Sequence, residues 1–200
     1  MWGKIILALL IIVIVLIVFW INPWGWFDYP KRYLIAWQPT IMEFLDKIPF
    51  IGNQHHIILQ SGSWASDDTT EVVGPVIVRI DDMDYSHMVG RGINVIYTDK
   101  LGKLLEYGTF DTFADGNVAA RNVLNFLQKW PAGAVYQLTY VFDEGHGGIS
   151  QNKEIYDLVS KYLPDFNKGT HRTSYVSVAK YGKTIKSIVD ESIATIDITV

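Results

Sequence analysis

The chain has 200 residues, 49% hydrophobic and 19% charged, which excludes a disordered protein and leaves room for one ordinary domain with an appendage. The formal net charge is −4 with no basic block, which argues against nucleic acid as a partner. With no cysteine, disulfides, thiolate metal sites and cysteine catalysis are excluded together.

Ile5 to Ile21 is an uncharged, apolar run of 17 residues. As a helix it spans roughly 25 Å, close to the hydrocarbon core of a bilayer. Trp2 lies before it, and Trp20, Trp24 and Trp26 lie at and beyond its far end, as interfacial anchors do. A cleaved signal peptide is the competing reading. The run is longer than the apolar core of such peptides, and Trp20-Ile21-Asn22-Pro23-Trp24 replaces a small-residue cleavage site. The expectation is an uncleaved single-pass signal-anchor over residues 1–21, with the lipid bilayer as partner. Lys4 on one side and Lys31 and Arg32 on the other leave its orientation open.

Residues 22–54 read as a juxtamembrane neck. Pro23 and Gly25 break the anchor helix, and Ile41, Phe44, Leu45 and Ile48 form one apolar face of a short helix. This face suits either a membrane-surface stalk or docking of a neighbouring subunit.

Residues 55–200 form the head. Expected strands are His55–Gln60, Val76–Ile80, Ile93–Tyr97, Lys103–Tyr107, Ala134–Phe142, Ser174–Ala179 and Thr195–Val200. Gly62–Thr70 reads as a polar loop, and Asp99-Lys100-Leu101-Gly102 as the turn of a hairpin. A helix capped by Asp115 or Asn117 runs to Lys129, with Ala120, Val123, Leu124 and Leu127 at helical spacing. A second, capped by Ser150, places Ile155, Leu158, Val159 and Tyr162 inward. Lys183–Ala194 is ambiguous. The fold class is α+β, with mainly antiparallel strands and two or three helices.

Polar residues gather at the strand ends. Arg91 sits between Gly90 and Gly92, Asn94 follows, Asp111 stands in Phe110-Asp111-Thr112, and Asp143 ends a strand. Arg91 either pairs with Asp111 or Asp143 or contacts a ligand. Asn94 and Asp111 suit a structural role, tying loops to backbone amides. Asp143 suits either a salt bridge to Arg172 or a ligand contact. No metal is expected: Asp143-Glu144-Gly145-His146 matches no ligand spacing, and Asp81, Asp82 and Asp84 lack the glycine and distal glutamate of a calcium loop, reading instead as a solvated acidic turn. Gly62-Ser63-Trp64 is no nucleophile elbow and no glycine loop cradles phosphate, so neither a catalytic residue nor a cofactor is expected.

Gly90-Arg91-Gly92-Ile93-Asn94, Phe110-Asp111-Thr112, the apolar strand into Asp143-Glu144, and Arg172-Thr173-Ser174-Tyr175-Val176 leading to Tyr181-Gly182-Lys183 together resemble the ILEI/PANDER-like domain, over about residues 55–190. That domain occurs in the interleukin-like EMT inducer family and in the stem of protein O-mannose N-acetylglucosaminyltransferase. The resemblance implies two antiparallel sheets with flanking helices and no catalytic activity. It also implies carbohydrate binding by a carboxylate and arginines, which fall here on Arg91, Asp143 and Arg172, with Tyr175 as an aromatic face. The secreted members carry disulfides and are soluble, whereas this chain has no cysteine and an expected anchor.

Two function classes follow. One is a non-enzymatic structural component of a membrane-associated assembly, such as a membrane-anchored minor capsid protein in a virion membrane, whose partners are neighbouring protein subunits. The alternative is a membrane-displayed glycan-binding module.

Overall fold

A computed structural model describes residues 54–64, 72–73, 75–114, 116–143, 145–170 and 173–200. The expected anchor, the neck apart from Gln54, Asp115, Glu144 and Arg172 lie outside the described residues. Among the described residues no helix is long and apolar enough to cross a membrane.

The head is α+β, built from two antiparallel sheets and a few helices. The strands are β1 (His56–Trp64), β2 (Val72–Val73), β3 (Ile77–Ile80), β4 (Met83–Asp84), β5 (Gly92–Thr98), β6 (Leu104–Phe110), β7 (Tyr136–Phe142), β8 (Ser174–Lys180), β9 (Lys183–Asp190) and β10 (Ile193–Thr199). The helices are α1 (Gly116–Gln128), α2 (Gly147–Ser150) and α3 (Lys153–Tyr162), followed by a 3-10 turn at Phe166–Lys168. One sheet runs β10-β1-β3-β4, with β2 on the end of β1; the central sheet runs β6-β5-β7-β8-β9.

The central sheet is covered on both faces. Ile96, Tyr136, Leu138, Tyr140, Val176 and Val178 meet Ile57, Leu59, Val78, Ile80, Ala194 and Ile196 of the other sheet. Ile93, Val95, Tyr97, Val141 and Tyr175 meet Ala120, Val123 and Leu127 of α1, Ile149 of α2, Ile155 and Val159 of α3, and Leu163 and Phe166 beyond it. This is why β5, with Ile93, Val95 and Tyr97 on one face and Asn94 and Ile96 on the other, is buried at every position. Among the described residues the outer sheet is covered on one face only, so β10 alternates: Ala194 and Ile196 are buried, Thr195 and Asp197 exposed. Removing a large aliphatic side chain from either core would cost about 2–5 kcal/mol.

Several local readings are corrected. β1 continues through Trp64 because β10 pairs it as far as Gly62 and β2 pairs Ser63 and Trp64. Ser150 closes α2, its Oγ donating to the Gly147 carbonyl at 2.9 Å; Asn152 caps α3, its side chain accepting from the Ile155 amide at 3.3 Å. Tyr162 is 41% exposed, because Leu163 takes the inward position. Lys183–Ala194 forms β9 and the start of β10, turned by Asp190, which accepts from the Ser192 amide and hydroxyl at 2.8 Å each. The acidic turn at Asp81, Asp82 and Asp84 is exposed, as expected. Asp81 pairs with His55 and accepts from the His56 amide, and Asp84 pairs with Arg79 and caps the Ser86 amide.

Candidate functional site

Strand pairing decides which loops meet. Gly92 faces Phe142, Ile93 faces Phe110, and Ser174 faces Asp190. The loop before β5, those after β6 and β7, the approach to β8 and the turn after β9 therefore share one end of the central sheet. Arg91, Asp111 and Asp143 all stand at that end.

Asn94 shapes the first loop. Fully buried, it accepts from the Gly90 amide at 2.9 Å and donates to the Gly90 and Gly92 carbonyls at 2.7 and 3.2 Å. Tyr107 donates to its Oδ1 at 3.3 Å. Gly92 sits at φ +96°, and a Cβ there would run into the Phe110 carbonyl. The chain thus passes close against β6, which aims Arg91 at the loop that follows Phe110.

There Asp111 meets it. Arg91 Nε lies 3.1 Å from each Asp111 oxygen and Nη2 lies 2.6 Å from Oδ2, with both side chains 41% exposed. Asp111 also accepts from the Phe113 and Ala114 amides at 3.1 and 3.2 Å. The Arg91 guanidinium, helped by those amides, holds the Asp111 carboxyl below the usual carboxylate range. Asp111, and secondarily the Asp143 charge, push the guanidinium the other way, further into its charged form. Asp143 takes a left-handed backbone at φ +67°, a conformation aspartate tolerates better than most residues.

The guanidinium stacks 4.9 Å from the Phe113 ring centroid, and Phe113 is 56% exposed. Val89 and Val118 on the flanking segments are also exposed. Phe113 is the functional candidate that sequence reasoning missed. Its only signal was a large aromatic residue outside any strand or helix period, right after Phe110-Asp111-Thr112.

No family model matches this chain, and no curated protein does.

The remaining expected site residues fall elsewhere. Tyr175 is fully buried: its ring meets Phe166 edge-on with centroids 5.3 Å apart, and its hydroxyl donates to the Pro164 carbonyl at 3.0 Å. It presents no face to a ligand at the surface. Arg172 lies outside the described residues. Its neighbours Thr170 and Thr173 close on each other, the Thr170 amide donating to Thr173 Oγ1 at 2.9 Å. Among the described residues no group of three histidine or acidic side chains is placed to hold a metal ion.

Among the described residues, the rim brings the Arg91 guanidinium onto the Asp111 carboxylate and over the exposed Phe113 ring, with Asp143 at the same end of the sheet. It has the parts to recognise a polar surface.

Proposed function

We propose that this protein is a non-enzymatic, membrane-anchored interaction protein and that its head presents the Arg91–Phe113 rim to a neighbouring protein subunit in a membrane-associated assembly, as a minor capsid protein of a membrane-containing virion would. The observation carrying this reading is the clamped geometry of Arg91. Its fork is spent on Asp111 and stacked over exposed Phe113, so the rim offers a preset, partly apolar surface. Aromatic and arginine side chains with apolar neighbours are the usual anchors of protein interfaces. The apolar run at residues 5–21 supports the anchor, and the amphipathic neck supports lateral contacts.

A glycan-binding head is the second reading. The Asp111 carboxylate close to exposed Phe113, with Asp143 at the same sheet end, favours it, since sugars are held by carboxylates and stacked on aromatic faces. The resemblance to ILEI/PANDER-like domains points the same way.

The test is the mass of the intact protein after gentle extraction from its native membrane. A large defined complex that dissociates on Phe113→Ala supports assembly through this rim. A monomer, or a complex indifferent to Phe113→Ala, removes that support. Retention of the detergent-solubilised full chain on a glycan array, lost on Asp143→Ala, would establish the second reading.

A further inference from the structure

The opposite end of the head carries a different surface. Two hairpin turns, Lys100-Leu101-Gly102-Lys103 and Lys180-Tyr181-Gly182-Lys183, share the order lysine, large apolar or aromatic residue, glycine, lysine. The first joins β5 to β6 and the second β8 to β9. Thr98 faces Tyr136 and Tyr136 faces Lys180, so both turns leave the central sheet at one end, about 14 Å apart by strand spacing. The glycines take φ +78° and +75°, as such tight turns require.

The first turn is stiffened from within. The Asp99 carboxylate accepts from the Leu101 and Lys103 amides at 2.8 and 2.9 Å, which leaves Leu101 at the tip, 54% exposed. In the second turn the Lys180 ammonium lies 5.3 Å from the Tyr136 ring centroid and 6.0 Å from that of Tyr181. Lys100, Lys103 and Lys183 are exposed. His55 ties this end together. Its ring meets Tyr136 edge-on, Nδ1 lies 2.5 Å from Asp81 and Nε2 lies 2.8 Å from the Lys100 carbonyl. Of the carboxylates nearby, Asp99 is spent on its turn and Asp81 on His55. Exposed Asp82 remains.

Two facts together give this surface a meaning. Four lysines share one end of a chain whose net charge is −4. The same end is where the polypeptide carrying the apolar run 5–21 joins the head, at His55. We propose that this end is a lipid-contacting face: the four lysines meet anionic headgroups of the bilayer, and Leu101 dips into the interface between them. Lysine ammoniums and one apolar tip are the parts that bind an anionic membrane surface. The proposal rests on residues 5–21 being a membrane anchor.

The absence of cysteine makes the test clean. The full chain with Leu101→Cys, or with Glu191→Cys in the turn at the far end, carries one environment-sensitive label. Each is reconstituted in vesicles of phosphatidylcholine alone or mixed with phosphatidylglycerol, with spin-labelled lipid as quencher. In the mixed vesicles the label at 101 is quenched and the label at 191 is not. Added salt relieves the quenching, and each lysine replaced by glutamine lowers surface occupancy about fivefold. Equal quenching in the two lipids, or at the two positions, overturns the proposal, and the salt series reads it without any lysine variant. Vesicle flotation after an alkaline wash separates the two ideas. A chain that fails to float overturns the anchor and the face together, whereas one that floats with its label at 101 in water overturns the face alone.

Discussion

His146 lies flat on Phe166, ring centroids 4.2 Å apart, and its Nε2 donates to the Phe166 carbonyl at 3.1 Å. It is 1% exposed, and burial pulls its pKa from the ordinary 6.5 down to about 4. The unfolded chain therefore takes up this proton below about pH 6.5, while the folded chain holds it off until about pH 4. Stability falls as pH falls through that window, by about 3 kcal/mol from this group, and the loss levels off below it. Thermal unfolding of wild type and His146→Phe across the window measures the effect as the difference between the two slopes. Acid loss from Asp81, Asp111, Asp165 and Asp190 comes lower, because hydrogen bonds hold each of these carboxyls below its ordinary value.

At the scale of elements, the register of β5 against β6 depends on one glycine. Gly92 opens β5 at a positive φ and against the Phe110 carbonyl. Gly92→Ala meets both a disfavoured backbone and a backbone neighbour that cannot step aside. The expected cost is about 2–4 kcal/mol, read from the midpoint of urea unfolding. The Arg91–Asp111 pair should loosen with it, since the loop that aims Arg91 starts there. The same element logic explains β9. Lys183, Lys186 and Asp190 sit at exposed positions of an edge strand, where charge discourages pairing with another chain.

For the head as a whole, the outer sheet is closed by the two ends of the folded sequence. β10 pairs with β1 from His56↔Thr199 to Gly62↔Ile193, and His55 and Val200 exchange backbone hydrogen bonds at 2.9 Å each. Deleting residues 193–200 strips β1 of one neighbour and removes Ala194 and Ile196 from the core they share with Val176 and Val178 of β8. The truncated protein should lose its cooperative unfolding transition in circular dichroism; an unchanged transition would show that β10 is dispensable. The same closure gives the head two unlike ends, the Arg91–Phe113 rim at one and the lysine turns at the other.

Local pattern alone determined much of this protein. The two-residue alternation of β5 and β7, the glycine turn between β5 and β6, the helical spacing of Ala120, Val123 and Leu127, and the α+β class were all legible, because each depends on neighbours a few residues apart. Arg91, Asp111 and Asp143 were legible as strand-end residues, but not Arg91's choice of Asp111 as its hydrogen-bonded partner. That choice follows from the close pass of Gly92 against β6. The pairing of His56 with Asp197 at 2.7 Å joins positions 141 residues apart, and no local period announces such a contact. Tyr175 was expected as an aromatic face toward a ligand, and the helices laid over it bury it instead. Lys183–Ala194 read as ambiguous because the polar residues of an edge strand obscure its alternation until the sheet supplies the covered side. Periodicity is a property of short sequence, whereas burial and charge pairing depend on which distant segments the fold brings together.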